Sequence, residues 1–105
     1  MQLSLGFSGC KKSAAQYILF TARSVWPKAS AHYRGECYTM DCAKTPTTYV
    51  IHPVMYEGRT RDSIQVEVHD GTLTLTAWEC APDVENLFKR LKSQPFWSGV
   101  HYVGA

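Results

Sequence analysis

The alternation of apolar and polar residues is strictest in residues 63–79, on both sides of the dipeptide Asp70-Gly71. Asp-Gly between two alternating runs is typical of a two-residue hairpin turn, in which both central residues adopt positive φ. Such a turn sets the register of the strands and places Val66 opposite Leu75. Because side chains alternate with a period of two, the pattern predicts a central β-hairpin with one apolar face and one polar face.

The polar face of this hairpin is the candidate binding surface. It is predicted to be lined by Gln65, Thr74, Thr76 and Trp78. A tryptophan on an otherwise polar face is typical of a surface that contacts a partner, a ligand or a second copy of the chain. The alternative is that the aromatic residues around Phe96 and Trp97 cover Trp78.

Two segments have the apolar spacing of amphipathic helices. Ser13 and Gln16 fit a capping box, which predicts a helix over residues 14–25 that Pro27 ends. The second segment opens at Pro82, because proline suits the first position of a helix. Its apolar residues follow helical spacing at Val84, Leu87, Phe88 and Leu91.

Further segments rich in β-forming residues predict short strands. The candidates are residues 2–7, 32–40, 47–52 and 96–103. Residues 28–46 show no clear pattern apart from the candidate strand at 32–40. Strands grouped between two helices favour an α+β two-layer sandwich. We therefore predict one domain over residues 1–105, in which two helices pack on one face of an antiparallel sheet of about four to five strands.

Composition places the chain among globular proteins, since 45% of its 105 residues are hydrophobic and 12% are aromatic. A net charge of +2 is too small to indicate a polyanionic partner. No apolar run reaches the roughly 20 residues of a spanning helix, so we expect no membrane association. Residues 7–10 resemble a lipoprotein cleavage box, but no basic residue precedes them. We therefore expect a cytoplasmic protein with reduced thiols.

Positive charge is concentrated in the first part of the chain. Residues 1–61 carry eight Lys and Arg against three Asp and Glu, a net +5, and residues 62–105 carry three against six, a net −3. Tyrosines interleaved with cations would suit single-stranded nucleic acid, through stacking and phosphate contacts. The residues concerned are Tyr33, Tyr38, Tyr49, Tyr56, Arg34, Lys44, Arg59 and Arg61. Because no known motif organises them, nucleic-acid binding is not the favoured interpretation.

Four cysteines and four histidines raise the question of a metal site. His32, Cys37, Cys42 and His52 are of the ligand types that zinc prefers, but they lack the close pair of cysteines that distinguishes zinc sites. Free cysteines are usually small buried apolar residues. We therefore predict no metal and no cofactor. Two disulfides are an alternative, against which the expected cytoplasmic location argues.

The chain lacks the common sequence motifs of catalysis. It contains no Gly-rich phosphate-binding loop, no His-Glu-x-x-His and no Gly-x-Ser-x-Gly. Glu67 and His69 share the polar face of the hairpin and have the residue types of an acid–base pair. Exposed strand residues form such pairs by chance, so the sequence favours a role other than catalysis.

These observations predict a small cytoplasmic binding protein that uses the open face or an edge of its sheet. The expected partner is a second copy of the chain, in a homodimer, or another protein. The alternative is a small enzyme or ligand-binding domain with a pocket between helix and sheet.

Overall fold

The computed structural model describes residues 1–34, 36–37, 47–53, 63–78 and 81–104. Within these residues the chain forms two helices, α1 (Lys11–Val25) and α2 (Pro82–Lys92), and one sheet. The strands are β1 (Gln2–Gly6), β2 (Ser30–Tyr33), β3 (Glu36–Cys37), β4 (Thr48–His52), β5 (Ile64–His69), β6 (Thr72–Ala77) and β7 (Gly99–Val103). No helix in this part of the chain is long and apolar enough to cross a membrane.

All strand pairs are antiparallel, in the order β3-β2-β4-β5-β6-β1-β7. The α+β class is thus confirmed, but the prediction of four to five strands is wrong. In the described part of the chain, six strands have at least four residues, and β3 adds a seventh of two residues. The predicted strand at 32–40 is replaced by β2 and β3, because Arg34 has a positive φ of 53° and the chain then returns alongside β2. Residues 38–40 lie outside the described part.

The central hairpin is confirmed in register and in turn geometry. β5 and β6 pair antiparallel, with Val66 opposite Leu75. Asp70 and Gly71 form the turn with φ values of 45° and 76°, in the positive region that a two-residue hairpin turn needs. Every second residue of each strand is buried, so the alternation in the sequence corresponds to the two faces of the sheet.

α1 begins earlier than the sequence predicts. Cys10 is the N-cap residue, so Ser13 lies inside the first turn of the helix. The predicted capping box is therefore wrong, because a Ser and a Gln at this spacing also occur within a helix. The predicted end of the helix is confirmed, since α1 ends at Val25, shortly before Pro27.

α2 is confirmed closely. It begins at Pro82, and Asp83 and Glu85 lie in its first turn, where carboxylates complement the helix dipole. Lys89, Arg90 and Lys92 lie in its last turn. The four apolar residues predicted by helical spacing, Val84, Leu87, Phe88 and Leu91, are all buried.

One hydrophobic core contains residues of both helices and alternate residues of the strands. Ile18 of α1, Leu87 of α2 and Leu75 of β6 are fully buried in it. Burial of a large apolar side chain stabilises the fold by roughly 1.5–3 kcal/mol. The helices also contact each other, because the Arg90 guanidinium of α2 donates a hydrogen bond of 3.2 Å to Ser24 Oγ of α1.

Candidate functional site

The four predicted binding residues lie on one side of the sheet, which we call the polar face. Gln65 is directly opposite Thr76 in the β5–β6 ladder, and Thr74 is opposite Glu67. Residues opposite each other in a ladder share a face, and so do residues two positions apart in one strand. The structure therefore brings Gln65, Thr74 and Thr76 together, and Trp78 follows at the end of β6.

β1 extends the polar face toward the edge of the sheet. Ser4 Oγ is 3.3 Å from Thr74 Oγ1, and Gln2 Nε2 donates a hydrogen bond of 3.4 Å to Thr76 Oγ1. These pairs follow directly from the β1–β6 register. The part of the polar face formed by β1 and β6 thus presents neutral hydroxyl and amide groups that bond to each other.

Trp78 is uncovered, with 76% of its surface exposed. The alternative that the aromatic residues near Phe96 cover it is wrong, because those residues pack elsewhere. The Phe96 ring stacks on Tyr17 of α1 at 4.3 Å between centroids, and the Trp97 ring meets Tyr17 edge-on at 5.7 Å. Trp78 therefore remains available to a partner at one end of the polar face.

A second candidate surface is the edge strand β7, which the sequence predicts as a strand but not as an edge. β7 pairs with β1 on one side and, among the described strands, ends the sheet on the other. All five of its residues are exposed, including Val100 at 46% and Val103 at 50%. Exposed β-branched residues on an edge strand are a recognised site of strand pairing between chains.

The hydrogen bonds of β1 define which backbone groups of β7 face outward. Phe7 N donates to Gly71 O over 2.9 Å, so Phe7 and every second residue before it bond toward β6. The even-numbered residues of β1 bond toward β7, and their partners there are the odd-numbered residues from Gly99 to Val103. The N–H and C=O groups of Val100 and Tyr102 consequently point away from β1, to the free side of β7.

The side chains of β7 alternate between the two faces. His101 lies opposite Ser4 and therefore on the polar face. Tyr102 lies on the other side, where its ring is 6.3 Å from the Phe88 ring and 4.3 Å from Lys92 Nζ. α2 thus supports β7 from the buried side, and the polar side of β7 is open.

Two histidines meet at the β2 end of the polar face. The His32 and His52 rings lie 4.8 Å apart and nearly perpendicular, and His32 Nε2 is 2.8 Å from Ser30 Oγ. Burial lowers the pKa of His52, and the neighbouring His32 lowers it further. Ser30 and His32 are both buried, so this serine and imidazole pair does not face a substrate in the described structure.

Of the residues considered as zinc ligands, His32 and His52 meet in this way, and Cys37 is paired with His32 in the β2–β3 ladder. Cys42 lies outside the described residues. Among the residues that are described, no group of three or more His, Cys, Asp or Glu side chains is arranged to hold a metal ion. The absence of zinc stays a prediction, which metal analysis of the purified protein tests.

The structure does not pair Glu67 with His69 as an acid and a base. His69 Nε2 is 3.2 Å from Asp70 Oδ2, and both side chains are largely exposed. Glu67 lies between Thr48 and Thr74 in the adjacent ladders. Exposed polar contacts of this kind contribute little to stability and are common on protein surfaces.

Tyr49 is not part of an accessible nucleic-acid surface, contrary to the prediction. Tyr49 faces the core and is only 1% exposed, so its ring is not available for stacking on a base. Tyr33 remains accessible, with the Arg34 guanidinium 5.2 Å from its ring centre. The other residues proposed for this surface, Tyr38, Lys44, Tyr56, Arg59 and Arg61, lie outside the described residues.

A groove of about 510 Å³ lies between α1 and α2. Phe20 and Arg90 form part of its walls, and the Arg90 guanidinium donates a hydrogen bond of 3.2 Å to Ser24 Oγ. This groove lies between the two helices, and not between helix and sheet as the alternative ligand-binding function predicts.

Comparison with known proteins finds no match for the chain among family models, curated proteins or solved structures. Function is therefore inferred from the polar face and the β7 edge.

Proposed function

We propose that the chain is an interaction protein that forms a homodimer by pairing the β7 edges of two copies. The observation that carries this proposal is that all five residues of β7 are exposed at the end of the sheet. An edge strand presents a row of unpaired N–H and C=O groups, which is the surface that another strand recognises.

The sequence of β7 supports strand pairing, because it lacks the features that usually prevent it. Residues 99–103 contain no proline and no Lys, Arg, Asp or Glu. Short length is another natural protection, and the edge strand at the other end of the described sheet, β3, has only two residues. Between the two described edges, β7 is therefore the better template for a second strand.

We also propose that both helices cover the same side of the sheet, opposite the polar face. One core contains residues of both helices, and Arg90 of α2 reaches Ser24 of α1. Gln65, Thr74 and Thr76 remain partly exposed on the other side. A dimer formed through β7 would then continue the sheet from one copy into the next and leave both polar faces open.

The expected affinity is modest. A standard stable interface buries about 800 Å² on each partner, and a single five-residue strand with its flanking side chains buries less. We therefore expect a dissociation constant in the micromolar range, on the order of 1–100 μM.

A proline in β7 tests this proposal. The N–H of Val100 points to the free edge, so Val100→Pro removes an intermolecular donor and leaves the bonds to β1 in place. We expect the unaltered chain to sediment as a monomer–dimer equilibrium at tens of micromolar and Val100→Pro to sediment as a monomer.

Val100→Thr is the matched control, because it keeps the N–H and the β-branched shape. Thermal melts of all three proteins show whether the fold is retained. A strict monomer for the unaltered chain, or a Val100→Pro protein that still dimerises with unchanged affinity, would contradict pairing through β7.

The polar face is a second candidate for the dimer interface, because Trp78 is exposed at its end. If two copies associate through this face, Trp78→Ala should weaken the dimer and Val100→Pro should not. Phe20→Ala is the control, since Phe20 is 65% exposed on α1, away from the sheet. The same sedimentation experiment therefore separates the two surfaces.

A further inference from the structure

We infer that the two β7 strands pair antiparallel about a two-fold axis at His101, so that the two His101 side chains face each other. This inference rests on the proposed homodimer and adds the register of the interface and its response to pH. It follows from the direction of the backbone groups and from the length of the strand.

Only some registers match the free hydrogen-bonding groups. Outward N–H and C=O groups belong to Val100 and Tyr102, so the intermolecular hydrogen-bonded pairs must be formed by these residues. A two-fold axis at His101 pairs Val100 of one copy with Tyr102 of the other, twice. Gly99 then lies opposite Val103, and all five residues of the strand are paired.

The two neighbouring registers match fewer of the outward backbone groups within β7. An axis at Val100 would place Tyr102 opposite residue 98, whose N–H already donates to Gly6 O at 2.9 Å. An axis at Tyr102 would place Val100 opposite Gly104, which lies beyond the end of the strand. The register centred on His101 is therefore the one that satisfies every outward group within Gly99–Val103.

This register suits the side chains on the buried side. It places Val100 of each copy directly opposite Tyr102 of the other, and pairs of an aromatic with a β-branched residue stabilise antiparallel sheets. Lys92 already lies over the Tyr102 ring on that side. Identical strands thus provide their own complementary pairs, which favours a second copy of the chain as the partner.

On the polar side, the two His101 residues form a pair without backbone hydrogen bonds, in which Cα atoms are about 4.5 Å apart. Ser4 is opposite His101 on β1, and Thr74 follows on β6, so the nearest neighbours are neutral. The first acid in this row is Glu67 on β5, about 14 Å from β7 at the usual strand spacing. Two protonated His101 rings would therefore repel each other, and among the described residues of this row no carboxylate lies close enough to compensate.

Disulfide formation tests the register. Cα atoms about 4.5 Å apart lie within the range of a disulfide, so His101→Cys should form a symmetric cross-link under mild oxidation. Val103→Cys is the matched control, because its own counterpart would lie about 13 Å away along the strand. Peptide mapping identifies the linked residue, and the unaltered chain, oxidised in parallel, gives the background from its native cysteines.

The outcomes separate this inference from the proposed function. Cross-linking of His101→Cys well above that of Val103→Cys supports the register. Equal cross-linking, with a dimer of the unaltered chain that Val100→Pro abolishes, overturns the register and leaves dimerisation through β7 intact. An unaltered chain that is monomeric at tens of micromolar overturns both.

Acidification gives an independent test that does not introduce cysteine. Like charges directly opposite each other destabilise an antiparallel strand pair, so we expect the dimer to weaken about fivefold between pH 7.5 and pH 5.5. His101→Gln should remove this change, and His69→Gln, an exposed histidine far from β7, should not. The inference is wrong if His101→Gln responds to pH as the unaltered chain does.

Discussion

Cys10 is the residue just before α1, and its thiol is exposed and lies 3.1 Å from the Ser13 hydroxyl. The hydrogen bond from the Ser13 side chain lowers the pKa of Cys10 below its ordinary value, and the Ser13 backbone N–H adds to this effect. Local sequence suggested Ser13 as the helix cap, whereas Cys10 occupies that position. The helix is therefore preceded by a thiol and not by a serine hydroxyl. This matters for reactivity, because a thiol with a lowered pKa is more often present as the reactive thiolate.

We therefore predict that Cys10 is alkylated faster than an unperturbed cysteine at pH 7.5. Ser13→Ala should slow the reaction, because loss of the hydroxyl donor lets the pKa of the thiol rise. Iodoacetamide labelling with peptide mapping measures the rate at Cys10. Ser8→Ala provides the control, as Ser8 is an exposed serine in the preceding loop, and an equal slowing by both changes would exclude the role given to Ser13.

At the scale of the elements, the central hairpin and α2 follow from local rules. Asp70-Gly71 sets the hairpin register, and Pro82 marks the start of α2, so both could be predicted from neighbouring residues alone. β1 and β7 are different, because Leu3 meets Leu75 and Tyr102 only when distant parts of the chain come together. No local pattern states that pairing, which is why the order of the strands and the identity of the edge were not predictable.

The two faces of β6 give a direct test of this element. Leu75 is fully buried, so Leu75→Ala should cost about 2–5 kcal/mol of unfolding free energy through lost burial and a cavity. Thr74 is on the polar face and bonds to Ser4, so Thr74→Ala should cost only about 1 kcal/mol. Urea unfolding of both variants measures the difference, and equal losses would contradict this assignment of the two faces.

At the scale of the whole molecule, periodicity predicted the polar face but not the β7 edge. Gln65, Thr74 and Thr76 share a face because a strand has a period of two, which is a local property. Whether a strand lies inside a sheet or at its end depends on the complete order of strands. β7 is an edge because, among the described strands, β1 is its one ladder partner.

The stability of the whole molecule should fall at acid pH because of His52. Its pKa is lowered in the folded state by burial and by His32, so the unfolded chain binds more protons in this range. The contribution of His52 to the free energy of unfolding is therefore fully present above about pH 6.5, the ordinary pKa of histidine. It is lost as the pH falls through the lower pKa that His52 has in the folded state. Urea midpoints between pH 7.5 and pH 5 should show this loss in the unaltered chain.

His52→Gln should make the midpoints less dependent on pH, whereas His69→Gln should leave the dependence unchanged, because His69 is largely exposed. A His52→Gln protein with the same acid sensitivity as the unaltered chain would assign the effect to other groups.

The position of β1 has a consequence for how the chain reaches its structure. β1 is the first strand along the sequence, but its ladder partners are β6 and β7, the last two. Its apolar residues, Leu3 and Leu5, therefore have no sheet partner until nearly the whole chain is available. Contacts of such long sequence separation slow folding, because the entropy of closing a long loop is lost before any pairing is gained. During that interval β1 is itself an unpaired apolar strand, so the early folding chain is the state most exposed to aggregation.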